Sequence, residues 1–102
     1  MVRDWTMDQV SEALDDGTIA LVDVREAHEF AIGHIPGSIS MPLSQFDAAA
    51  LPHGRTIVFS CAAGVRSLRA IVLARASGVE VDSHYPGGFK DWFAQGGMVD
   101  RL

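Results

Sequence analysis

The chain has 102 residues, a single cysteine and a formal charge of −5. That length suits one domain over residues 1–102, with a hydrophobic core that needs neither disulfides nor metal. The acidic balance excludes the basic stripe of a nucleic-acid binder, and a lone cysteine excludes an internal disulfide, so a reducing, cytoplasmic setting is expected.

The start, "MVRDWTMDQV", lacks the pattern of a signal peptide. The longest apolar runs are far too short for a bilayer, so no membrane partner is expected. Thr6 and Gln9 stand at capping-box spacing and open a helix carrying Met7, Val10 and Leu14, with Gly17 as its stop. "IALVDVR" reads as a buried strand. A short helix is expected from Glu26 to Ala31, closed by Gly33, and Pro36-Gly37 marks a turn. "SISMPL" reads as a short strand ending before Pro42. "SQFDAAAL" reads as a short helix capped by Ser44 and broken by Pro52.

"TIVFSC" is the clearest buried strand. "VRSLRAIVLARASG" predicts a helix ending at Gly78, with Leu68, Ile71, Val72 and Ala76 on its apolar face and Arg69 and Arg75 off it. "VEVDSHY" reads as a last short strand, and "GGFKDWFAQGG" as a last helix striped by Phe89, Trp92 and Phe93. Strands alternate with helices throughout. The expected class is therefore α/β, a central, mostly parallel sheet with helices on both faces.

Ligands of open α/β sheets bind at the carboxyl ends of strands, where Cys61 stands. "CAAGVRS" then leads directly into a helix. Amides at a helix N-terminus lack internal partners and carry partial positive charge, so a loop curling around Cys61 aims them at the sulfur. Ala62, Ala63 and Gly64 are small enough for close backbone approach, and Gly64 permits a positive φ. Arg66 adds a cation that can fork onto an anion. Such surroundings favour thiolate at neutral pH, without a histidine base. The plain alternative is a buried cysteine acting as a small hydrophobe. The whole arrangement of strand, Cys, small-residue loop, Arg and helix favours reactivity.

These motifs together resemble the single-domain rhodanese family of sulfurtransferases, and the likeness spans nearly the whole chain. "LVDVREAHEFAIGHIPGSISMPL" is similar to the first signature of that family, "CAAGVRS" to its active-site loop, and "YPGGFKDW" to its C-terminal Gly-Gly and Trp region. The resemblance implies a rhodanese-like fold and a persulfide relay. Cys61 takes a sulfane sulfur from thiosulfate or a persulfide donor, small or protein-borne, and passes it to a thiol or cyanide. The amides of Ala62, Ala63, Gly64, Val65 and Arg66 are implied to hold the persulfide. Related cysteine phosphatases place the arginine one residue further on, a wider cradle for phosphate, so phosphatase stands well behind. Arg66 is the only charge in the loop, whereas thiosulfate-binding loops often carry more. A second reading is therefore a sulfur-carrier or regulatory module serving one protein partner.

Asp23 and Arg25, with Glu29 close behind, sit at the end of the first predicted strand. They either order the loop or fix the strand-to-helix connection by a salt-bridge network, the favoured reading; neither is read as catalytic. Gly87 and Gly88 either allow close approach to the Cys61 loop or form a plain turn. His34 is read as a structural histidine bonding backbone, and His28, His53 and His84 as surface or turn residues without metal-ligand spacing. No metal and no cofactor are expected, and no Gly-rich dinucleotide fingerprint follows the first strand. The pattern fixes no oligomeric state, monomer included.

Overall fold

The computed structural model describes residues 1–102. Five strands form one sheet: β1 (Arg3–Asp4), β2 (Ile19–Asp23), β3 (Ile39–Ser40), β4 (Thr56–Ser60) and β5 (Ser83–Tyr85). Their order is β1-β5-β4-β2-β3, and every pairing is parallel. Four α-helices connect them: α1 (Met7–Asp16), α2 (Ala27–Ile32), α3 (Val65–Ala76) and α4 (Gly88–Ala94).

The helix ends follow from local chemistry. The Gln9 amide donates to Thr6 Oγ1 at 3.2 Å, and Gln9 Oε1 accepts from the Thr6 amide at 2.9 Å. Two otherwise orphaned donors of α1 are thus satisfied. Gly17 ends the helix at φ 70°, where its amide reaches back to the Ala13 and Leu14 carbonyls. At the head of α2, Glu29 Oε1 accepts from the Glu26 amide at 3.0 Å.

Alternation along the strands splits the core into two layers. Val22, Val24, Phe59 and Cys61 face α3, with Ala70, Ile71, Ala74 and Leu51. Ile19, Leu21, Val58 and Tyr85 face the other way, against Val10 and Ala13 of α1 and Trp92 of α4. Both faces of the sheet are therefore covered, as a parallel sheet requires. No helix is long and apolar enough to cross a membrane.

Three expectations need correction, and one strand was not foreseen. "SQFDAAAL" does not form one helix capped by Ser44. It forms two 3₁₀ turns, Leu43–Gln45 and Ala48–Ala50. The Ser44 hydroxyl donates to the Glu26 carboxylate instead, and extended Asp47 separates the turns while capping the second through the Ala49 amide. The buried face of α3 is Ser67, Ala70, Ile71 and Ala74, while Leu68 and Val72 are 42% and 58% exposed and Ala76 is also exposed. Small residues let the helix lie close on the sheet, and that spacing wins over the larger apolar side chains. In α4, Trp92 is buried but Phe93 is 62% exposed. Finally, β1 has no sequence signature. It is a two-residue edge strand placed only by its register with Ser83 and His84.

Candidate active site

β4 ends at Ser60, and Cys61 is the next residue, only 1% exposed. The chain turns through Gly64 at φ 92°, the N-cap of α3. A Cβ there would stand 2.8 Å from the Pro86 carbonyl oxygen, so only glycine fits. The turn directs the Gly64 amide at Cys61 Sγ at 3.2 Å and the Ser67 amide at 3.3 Å. Ser67 Oγ lies 3.6 Å from the same sulfur.

Burial, the largest single influence, pushes the Cys61 thiol up. The Ser67 hydroxyl and amide, with the Ala63 and Gly64 amides, together outweigh it and hold the thiol below its ordinary value. Donors of this kind stabilise the charged form. The site can therefore hold a sulfur anion although Cys61 packs among apolar residues.

The loop is fixed from the opposite side by α4. The Phe89 and Lys90 amides donate to the carbonyls of Cys61 and Ala62 at 2.8 and 3.1 Å. Carbonyls thus turn toward α4 while amides turn toward the sulfur. Gly88 makes this possible at φ 64°, since a Cβ there would meet the Cys61 oxygen at 2.4 Å and the Ala62 oxygen at 2.6 Å. Of the glycine pair, Gly88 approaches the loop. Gly87 does not: it has an ordinary φ and abuts Asp91.

The donors that reach the resting sulfur are fewer than the five loop amides from 62 to 66 expected around a persulfide. Ala63 and Gly64 contribute, Ala62, Val65 and Arg66 make no hydrogen bond to Sγ, and Ser67 supplies the rest. Arg66 does not fork onto the sulfur either. Its guanidinium grips Glu29 in α2, Nη1 to Oε1 at 2.6 Å and Nη2 to Oε2 at 3.1 Å. That hydrogen-bonded pair lowers the Glu29 carboxyl from 4.5 to about 2.

Asp23 and Arg25 form a buried pair at 2.8 Å. Arg25 also donates to the Gly33 carbonyl at 2.8 Å and lies 4.5 Å over the Phe89 ring. These contacts tie β2 to α2 and α4 around the loop, and neither residue hydrogen-bonds Cys61. His34 Nδ1 bonds the Phe30 carbonyl at 2.8 Å, and its ring stacks on Phe30.

His84 departs from its expected place at a surface or turn. It lies in β5, 3% exposed, with Nδ1 2.8 Å from Ser67 Oγ. Ser67, beside the sulfur, and His84, behind Ser67, are the residues that sequence reading missed. Ser67 was within sight, one turn into the helix after Cys61. His84 carried no local signal.

A family model described as Rhodanese-like domain matches residues 6–95. The thiosulfate:glutathione sulfurtransferase of Saccharomyces cerevisiae is 37% identical, over 85% of this chain and 72% of its own. The mitochondrial thiosulfate sulfurtransferase RDL2 of the same yeast is 34% identical, over 91% of this chain and 74% of its own. The solved human single-domain sulfurtransferase TSTD1 superposes with a TM-score of 0.77 at 28% identity, covering 93% of this chain and 98% of that one. With that family model matched over residues 6–95, a stretch that takes in the strand, loop and helix around Cys61, the chain belongs to the rhodanese-like domain family.

Proposed function

We propose that the protein is a sulfurtransferase in which Cys61 carries the transferred sulfur. The observation that carries this reading is the sulfur cradle: two amides at the head of α3, from Gly64 and Ser67, both within 3.3 Å of Sγ. In the first step the Cys61 thiolate attacks the outer sulfur of thiosulfate, forming Cys61–S–S⁻ and expelling sulfite. In the second, an acceptor thiolate attacks that outer sulfur, leaving as R–S–S⁻ and returning Cys61–S⁻. Both steps break and make one sulfur bond, with no net oxidant. A persulfide donor serves the first step equally. A low-molecular-weight thiol acceptor is supported by the name of the yeast thiosulfate:glutathione relative.

The loop favours a persulfide donor over thiosulfate. Its single cation, Arg66, is already held by Glu29, so a dianion finds little uncompensated charge. The same observation supports a second reading, a sulfur-carrier module loaded by one protein partner. A phosphatase is disfavoured by the tight turn, which seats a sulfur with donors from only a few amides.

Initial rates with donor and acceptor varied together decide between transfer and carriage. The transferase gives parallel double-reciprocal lines, the pattern of a covalent intermediate, and Cys61→Ser abolishes turnover with the fold intact. Sulfur uptake from a protein persulfide with negligible turnover on small donors favours the carrier. Full activity of Cys61→Ser ends the proposal.

A further inference from the structure

His84 is a buried titratable side chain to which the sulfur chemistry above assigns no work. Its strand β5 lies between β1 and β4, with Asp4 and Phe59 as register neighbours. Nδ1 is 2.8 Å from Ser67 Oγ, and Nε2 is 3.1 Å from Asp4 Oδ1. Ser67 Oγ is in turn 3.6 Å from Cys61 Sγ. The Asp4 side chain is 70% exposed. One unbroken series of polar atoms therefore runs from the buried sulfur to solvent.

A hydroxyl both donates and accepts, so this series works in two senses. With a neutral thiol, S–H donates to Ser67 Oγ, the hydroxyl donates to His84 Nδ1, and Nε2–H donates to Asp4. Shifting each of the first two protons one place leaves Cys61 as thiolate, accepting from Ser67. Ser67 Oγ now accepts from Nδ1–H, and the imidazolium faces the Asp4 carboxylate. One proton has moved from sulfur to ring, and every link stays occupied.

We propose that Ser67, His84 and Asp4 form a proton relay that takes up the Cys61 thiol proton and opens it to solvent. The relay rests on the reading of Cys61 as the sulfur nucleophile. His84 acts through Ser67, as a positioning residue. When the persulfide gives up its outer sulfur, Cys61 departs as thiolate, the state in which Ser67 donates to it. The groups facing the ring are few: Asp4 from β1, Ser67 from α3 and apolar Phe59 from β4. Around Cys61 the charged groups are Arg66 with its partner Glu29, and the buried Asp23–Arg25 pair.

Cys61 is the only cysteine, so alkylation by iodoacetamide, followed by intact mass across pH, reads this thiol alone. His84→Asn retains an amide able to bond Ser67 but cannot take a proton. Its reactive limb moves up by about one pH unit, an approximately tenfold loss of rate on the acid side. Ser67→Ala moves it in the same direction. A wild-type profile in folded His84→Asn would show that His84 only props Ser67, overturning the relay. Asp4→Asn lies at the surface and keeps the test decisive if the buried variant does not fold: an upward shift supports the relay, and no shift overturns it. Sulfur uptake is measured separately, so a shifted alkylation profile without sulfur uptake would end the transfer reading while still showing the Cys61 proton coupled to His84.

Discussion

Replacing Gly88 by alanine tests how the loop is held. The residue sits at φ 64°, and its added Cβ would fall 2.4 Å from the Cys61 oxygen and 2.6 Å from that of Ala62. Both obstacles are backbone, so no side chain can swing aside. The left-handed conformation alone costs an L-residue about 1 kcal/mol. Relieving the overlap separates α4 from the loop and weakens the Phe89 and Lys90 amide bonds to those carbonyls. At about 1 kcal/mol for each bond, the whole effect is about 3 kcal/mol. For a domain of this size that lowers Tm by about 15 °C. Gly17→Ala is the control, since Gly17 has φ 70° and nothing within 4 Å of the added atom. It carries the strain alone, about 1 kcal/mol and a Tm loss of about 5 °C. Thermal melts of both variants check the reasoning, with sulfur transfer falling further in Gly88→Ala. Equal melting points for the two would refute the close packing of α4 on the loop.

Other outcomes follow from the same geometry. Glu29 has its carboxyl lowered to about 2 by the Arg66 guanidinium. Its pair stabilises the fold fully above pH 4.5 and fades as pH falls toward 2. Acid titrations should show wild type losing more stability than Glu29→Gln over that window, and parallel curves would contradict the pairing. Arg66→Lys keeps the charge but loses the two-pronged grip on Glu29. It should lower stability by about 0.5–1 kcal/mol in urea denaturation, and a stability equal to wild type would contradict the two-pronged pairing. On α3, Ile71→Ala should cost about 2–4 kcal/mol and Val72→Thr less than about 0.5 kcal/mol, as urea denaturation would report. Similar losses at both positions would mean that the helix face is wrongly placed.

Features written within a few neighbouring residues were legible in the sequence. The Thr6–Gln9 cap, the branched runs of β2 and β4, and the small-residue turn from Cys61 to Gly64 each depend on local geometry. So the fold class and the site of Cys61 were both open to reading. What escaped depends on register between distant segments. Asp4 and His84 are 80 positions apart and meet only because β1 pairs with β5. The Arg66–Glu29 pair joins α3 to α2 across 37 positions. It turns a guanidinium expected at the sulfur onto a carboxylate. The buried face of α3 was misread for a different reason, because close packing on the sheet selected Ser67, Ala70 and Ala74 over larger apolar residues.

The most direct test of the account is the intact mass of the protein after exposure to thiosulfate and, separately, to a persulfide donor. The account predicts a gain of one sulfur atom on Cys61 from at least one of the two donors. That sulfur should leave on addition of cyanide or a thiol, and Cys61→Ser should gain none. Failure to gain sulfur from either donor, in folded protein with a free thiol, would contradict Cys61 as the carrier.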